Sequence, residues 1–196
     1  MGESNKIFQI KSNRLEPSKG KLLLSEPLMS DYYFGRSVVL LAEHNAEGSF
    51  GVILNKPVTA KFNDVIKDFP KFSTSIFIGG PVETNKLFYI HTLGEQITGA
   101  LKITNDLYWG GDLESVKEAI YLGLASNDNF RFFIGYSGWE ATQLNTELKR
   151  NSWIVTNAEK DYCFRVRPTE MWESFMKNLG GKYSYWTKFP ADPNLN

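Results

Sequence analysis

Phe34-Gly-Arg-Ser-Val-Val-Leu-Leu-Ala-Glu-His-Asn45, followed by Gly48-Ser-Phe-Gly-Val-Ile-Leu-Asn-Lys-Pro57, is the stretch that decides the fold. Val38 to Ala42 contains no polar residue, the pattern of a strand covered on both faces, and it stops at the polar triplet Glu43, His44 and Asn45. The connection Asn45-Ala-Glu-Gly48 has the Asn and Gly that a tight turn favours, so strands over Ser37–Glu43 and Ser49–Asn55 are expected to pair antiparallel. Upstream, Lys21–Ser25 reads as a further short strand before Pro27.

Outward from this hairpin, 196 residues suffice for one well-buried domain and are short for two independent cores. A hydrophobic share of 42% with 14% aromatics supplies that core and argues against disorder. Lys and Arg total 22, as do Asp and Glu, so no global field draws nucleic acid, anionic membrane or an acidic substrate. Any such partner needs a local patch. The single Cys163 excludes an internal disulfide and every multi-cysteine metal site, and it fits a reducing compartment, so the cytoplasm is the expected location. Met1 to Lys6 lacks the basic-then-apolar pattern of a signal peptide, and no run approaches the roughly 20 apolar residues that cross a bilayer. No membrane partner is expected.

Downstream, Phe62, Val65, Ile66 and Phe69 place one apolar face on a short helix over Lys61–Asp68 that Pro70 stops. Ser75–Gly79 and Lys86–His91 read as strands around the turn Gly79-Gly-Pro-Val-Glu83, and Ile97–Ile103 has weaker strand character. Asp112 is a cap for a helix whose stripe is Leu113, Val116, Ile120 and Leu124. Phe130–Tyr136 is a strand, and a helix over Glu140–Arg150 is expected to bury Ala141, Leu144 and Leu148. Ser152–Val155 and Tyr162–Val166 read as strands. Pro168 opens a last helix with Met171, Trp172, Phe175, Met176 and Leu179, ended by Gly180-Gly181. Residues 1–19 read as a loosely attached arm, 20–180 as one domain, and 181–196 as an aromatic tail carrying Tyr183, Tyr185, Trp186 and Phe189. Hairpin-linked strands followed by interleaved helices make a mixed, largely antiparallel sheet layered with helices, an α+β domain.

The residues that carry chemistry cluster at strand ends. Glu43, His44, Asn45 and His91 suggest a proton-transfer pair or part of a metal site, yet two histidines fall short of the three or four ligands zinc takes, and no HxH or HExxH spacing exists. Hydrogen bonding to loop backbone is the favoured role. Tyr136-Ser-Gly-Trp-Glu140 has the strand, turn and helix of a nucleophile elbow without its Gly-x-Ser-x-Gly pentapeptide; the favoured reading is close packing at Gly135 and Gly138 with Trp139 plugging the core edge and Glu140 at a helix's positive end. Gly79-Gly80-Pro81 lacks the Lys-Ser/Thr of a phosphate loop and reads as a tight turn. Asn55-Lys56-Pro57 puts an amide and a cation where a strand stops, a site for a ligand or partner contact. Lys149-Arg150 and Arg165 with Arg167 are basic pairs, but without a recognisable helix-turn-helix, zinc finger or RNP motif direct nucleic-acid binding is not expected. Cys163, between Tyr162 and Phe164, reads as buried and inert.

Three segments together carry a resemblance. Arg36-Ser-Val-Val-Leu-Leu-Ala-Glu-His-Asn45 with Gly51-Val-Ile-Leu-Asn-Lys-Pro57, then Gly79-Gly-Pro-Val82 with Leu87-Phe-Tyr-Ile-His91, then Gly135-Tyr-Ser-Gly-Trp-Glu140 with Gln143-Leu144 resemble the AlgH/YqgE family of bacterial proteins across roughly Gly20 to Val155. The resemblance implies an α+β fold with a bifurcated sheet partly closed into a small barrel and surrounded by helices. It implies no particular reaction; a transcriptional-regulator label is carried through the family by name. Two departures stand out. Ser30-Asp-Tyr-Tyr-Phe-Gly35 replaces an Asp-Pro-x-Phe turn, and Thr142 stands where a glycine usually precedes Gln-Leu.

The leading reading is a non-enzymatic cytoplasmic binding or regulatory module, with no cofactor and no metal, that presents Glu43, His44, Asn45, Asn55, Lys56, Gly79, Gly80, His91, Trp139 and Glu140 to a protein or small-molecule partner. The alternative is a hydrolase or transferase using His44 or His91 as base with Glu43 or Glu140. Oligomeric state is open.

Overall fold

The computed structural model describes residues 11–190. Among them, ten strands form one sheet and six helices cover it. The hairpin is as expected: β2 (Val38–Asn45) pairs antiparallel with β3 (Gly48–Ile53). β1 (Lys21–Ser25) lies on the far side of β2, and β10 (Trp153–Asn157) closes that end by pairing antiparallel with β1. The apolar runs are explained by two covered faces. Leu22, Leu24, Val38, Leu40 and Val52 point into one core, and Leu23, Val39, Leu41 and Ile53 into another. The first core lies under α5 (Pro168–Leu179) and α6 (Gly181–Trp186), which contribute Trp172, Met176 and Trp186; the second lies under α3 (Gln143–Lys149), through Leu144.

The spine of the sheet is β9 (Phe130–Glu140), longer than its sequence suggests because Ser137-Gly-Trp-Glu140 continues the strand. On one edge it pairs antiparallel with β6 (Val82–His91). The other edge is shared: Phe132–Ile134 run parallel to β5 (Ser75–Ile78), while Ser137–Glu140 run antiparallel to β3. The sheet therefore forks, as the resemblance implies. It stays open at its ends, so the expected partial closure into a barrel does not occur. The fork is tied together by Gly79. Its N–H donates to Ile134 O (2.9 Å), and its carbonyl accepts from Ile53 N (2.9 Å) and from the Ser137 hydroxyl (2.9 Å). A Cβ on Gly79 would stand 2.1 Å from Gly135 O, so only glycine lets the two branches approach. Ser137 is thus a buried strand residue with its hydroxyl committed, and the elbow comparison fails.

Other elements differ from expectation where short apolar runs are ambiguous. Residues after Lys56 form an unforeseen strand, β4 (Pro57–Lys61), that pairs with β5, which leaves only Phe62–Val65 for α1. Ile97–Ile103 yields just the two-residue β7 (Leu101–Lys102), paired with β8 (Tyr108–Trp109). Asp112 caps α2 (Leu113–Tyr121) by accepting from Ser115 N (2.9 Å), but Leu113 and Leu124 are exposed, and Val116, Ala119 and Ile120 do the packing. Ala141 is exposed because α3 starts only at Gln143. Tyr162–Val166 is not a strand: Lys160–Phe164 forms α4, which buries Cys163 and Phe164 under the sheet. The loop before Arg36 holds its shape without a proline, because the Asp31 carboxylate accepts from Tyr33 N (2.8 Å) and Phe34 N (2.9 Å).

Candidate functional site

Four strands converge on an open cleft of about 860 Å³ at the hairpin end of the sheet. Its floor is aromatic. Phe50 comes from β3, Phe88 from β6, Trp109 from β8 and Tyr136 from β9, all partly exposed. Ring centroids lie 5.3 Å apart for Phe50 and Trp109, 5.7 Å for Trp109 and Phe88, 5.3 Å for Phe88 and Tyr136, and 6.2 Å for Tyr136 and Phe50. The four rings therefore make a closed circuit of mostly edge-to-face contacts, the arrangement that ring quadrupoles prefer.

The walls are acidic: among the described residues Glu43, Glu47, Glu83 and Glu140 line the cleft, and no Lys or Arg does. A bulge between Leu41 and Glu43 shifts the register of β2, and the wider irregularity of β6 between Val82 and Leu87 carries Glu83 at a φ of +48°. Lys19 reaches Glu43 at 3.1 Å, and this hydrogen bond holds the Glu43 carboxyl below its ordinary pKa of 4.5. Lys86 pairs with Glu83 at 2.6 Å. Both pairs are solvent-exposed and readily exchanged. Glu47 and Glu140 have no ion pair among the described residues, and both are exposed.

Of the residues singled out from sequence, Glu43, Asn45, Trp139 and Glu140 line this cleft. His44 stands beside it: its Nδ1 is 2.7 Å from the Ser49 hydroxyl, and Ser49 does line the cleft. Glu43 does not orient that imidazole, because its Oε1 accepts from the His44 backbone N–H (3.0 Å). Trp139 is anchored rather than presented. Its indole N–H donates to Glu147 Oε2 (2.9 Å), the same oxygen that accepts from Trp153 (2.7 Å).

The remaining singled-out residues lie elsewhere and are occupied by the fold. Asn55 Oδ1 accepts from Val38 N (2.9 Å) while its Nδ2 donates to Arg36 O (2.9 Å). Lys56, half-buried and with its pKa lowered by burial, donates to Gly35 O (2.6 Å). Together they pin the loop before β2. Gly79 and Gly80 are buried at the fork. His91 is fully buried, stacked between Tyr108 (5.8 Å) and Phe130 (5.1 Å), with Nε2 at 3.0 Å from Gly110 O. A carbonyl beside Nε2 requires the proton there, so Nδ1 is a bare acceptor without a partner. Burial lowers its pKa from 6.5, and the histidine is neutral. Among the described residues, no three His, Cys, Asp or Glu side chains come together as a metal site. No described helix is long and apolar enough to cross a membrane.

Sequence reasoning missed the floor. Phe50, Phe88 and Tyr136 each sit in an apolar run that reads as strand and Trp109 in the loop before Asp112, and only the pairing register brings them to one place.

The AlgH-like family profile matches residues 22–184. A UPF0301 protein of Bacteroides fragilis is 46% identical over the whole of both chains, and one of Cytophaga hutchinsonii is 43% identical over 91% of this chain and 99% of its own. The solution structure of the AlgH protein from Pseudomonas aeruginosa is similar with a TM-score of 0.70 at 28% identity, covering 90% of this chain and 98% of that one. A crystal structure of a protein from Corynebacterium diphtheriae shares the fold with a TM-score of 0.75 at 23% identity, over 90% of this chain and 94% of that one.

Proposed function

This chain belongs to the AlgH-like family, and from that premise we propose that it is a cytoplasmic binding module, regulatory in role and without a catalytic step, whose working face is the aromatic cleft. The observation that carries this reading is the circuit of four partly exposed rings inside an acidic wall. Apolar surface left wet inside a concave site is the usual mark of a place that something else covers. The titratable groups around it do not form a catalytic set. His91 is sealed in the core, Glu43 is held by Lys19 and by backbone, and Glu140 has no base or nucleophile bonded to it. The test is a small-molecule fragment screen read by two-dimensional NMR. Binders are expected to move the Trp109 indole and the amides of Phe50 and Tyr136, and to lose that effect in Trp109→Ala. Shifts scattered over the surface with no preference for the cleft would sink the reading.

A second reading is favoured by one contact, the 2.7 Å approach of His44 Nδ1 to the Ser49 hydroxyl at the edge of the cleft. This is the geometry of a base beside a nucleophile, in a hydrolase of the acyl-transfer type. It lacks a carboxylate bonded to the imidazole, and Ser49 and His44 are cross-strand partners, where such a bond also forms for structural reasons. A fluorophosphonate probe separates the cases. Labelling at Ser49, absent in Ser49→Ala and His44→Gln, would establish the enzyme, and an unlabelled protein removes it.

A further inference from the structure

We infer that the cleft takes an arginine-bearing segment of a partner protein, the guanidinium seated on the aromatic floor and flanking basic residues held by the glutamate wall. The inference rests on the reading of the cleft as the binding face and names its occupant. Sign comes first: among the described residues the site is lined by Glu43, Glu47, Glu83 and Glu140 and by no Lys or Arg, and with only Glu43 and Glu83 paired, to Lys19 and Lys86, an anionic occupant meets net repulsion from Glu47 and Glu140. The floor agrees, because the face of an aromatic ring is its negative side and attracts a cation within about 6 Å of the centroid.

Between the two common cations, the floor selects the guanidinium. It is planar, weakly hydrated and stacks on rings, whereas an ammonium keeps its water more tightly. The chain stacks both cations on its rings: Arg131 lies 4.5 Å above Phe77 and Arg36 5.0 Å above Trp172, both buried rings, whereas Lys117, Lys182 and Lys188 approach the partly buried or exposed Phe69, Tyr183 and Tyr185.

The distribution of charge favours a protein segment over a small molecule. The four carboxylates sit on β2, the hairpin turn, the irregular start of β6 and the end of β9, spread around an opening of about 860 Å³. One small cation meets one or two of them. A peptide strung across the opening meets all four while a single side chain descends to the rings. Lys19 and Lys86, which hold Glu43 and Glu83 from outside, are the exchangeable partners such a segment displaces.

The test is calorimetry of the full chain with peptides of equal length in which Arg, Lys, Gln or Glu alternates with Gly, together with spermidine. The Arg peptide is expected to bind at least about tenfold more tightly than the Gln and Lys peptides, with an affinity that falls as salt rises. The exposed double variant Glu47→Gln, Glu140→Gln, which leaves the floor intact, should weaken it about tenfold, and Trp109→Ala should do the same. Equal affinity for Arg and Gln peptides, spermidine matching the Arg peptide, or indifference to the double variant would each overturn the inference. If neutral fragments still perturb Trp109 while the Arg peptide fails, the occupant is wrong and the binding face stands. If neither binds, both readings fall.

Discussion

Thr142 occupies a conformation made for another residue. It has a φ of +66° at the start of α3, in the left-handed region that a β-branched side chain resists. Its hydroxyl makes no hydrogen bond, and only its carbonyl is used, accepting from Thr146 N and the Thr146 hydroxyl. Thr142→Gly therefore removes strain and no side-chain hydrogen bond among the described residues. It should raise stability by about 1 kcal/mol and the melting temperature by roughly 2–4 °C, measured by calorimetry. His91 carries the opposite kind of cost, one that depends on pH. Its folded pKa lies below the 6.5 of the unfolded chain, so the unfolded state binds more protons between those values. The contribution of His91 is complete above pH 6.5 and is lost as pH falls through the lowered folded value. Urea melts should show stability declining below pH 6.5, and His91→Gln, whose amide can still reach Gly110, should flatten that slope.

At the scale of elements, the fork is held by backbone that tolerates no side chain. Gly79→Ala drives a Cβ against the carbonyl of Gly135 and should cost at least about 3 kcal/mol in urea unfolding. Gly99→Ala, at a φ of +72° but with nothing within 4 Å, should cost only about 1 kcal/mol. The hairpin and α5 were legible because periodicity and punctuation are local: the apolar run Val38–Ala42, the Asn45 to Gly48 turn, and Pro168 before a helical stripe. Tyr162–Val166 reads as a strand but does not form one, because the three-residue apolar run Tyr162-Cys-Phe164 before Arg165 buries itself equally well as strand or helix, and only the neighbouring core decides for α4. The cleft was half legible for the same reason. Glu43, Asn45 and Glu140 announce themselves as polar residues at strand ends, whereas the four rings are brought together by pairings between distant segments, such as Phe50 opposite Gly138 and Ile90 opposite Trp109.

Across the whole molecule, a net charge of zero conceals a strong division. A second cleft, of about 920 Å³, has the other sign: it is lined by Lys61, Lys71, Arg131, Arg165 and Arg167, with Asp64 as its one carboxylate among the described residues. Arg167 and Arg165 lean on Glu170 and Asp161 of their own helices, and Arg131 is buried with its guanidinium bonded to Leu54 O and Phe164 O, its pKa lowered to about 10 by burial. Of these cations Arg131 ties α4 to the sheet, whereas Arg165 and Arg167 form exposed pairs with near neighbours in the sequence. The pairing of β1 with β10 has a different reach. Lys21 and Asn157, bonded partners at its end, are 136 residues apart in the chain. A ribosome adding about 5–20 residues per second needs roughly 7–27 s to make the second after the first. Throughout that interval one edge of Leu22-Leu23-Leu24 has no strand to meet, and the helix that later seats Trp172 on Ser25 O has not been made. The nascent chain thus carries an open, apolar strand edge while those 136 residues are added, and β1 is sealed long after it is made.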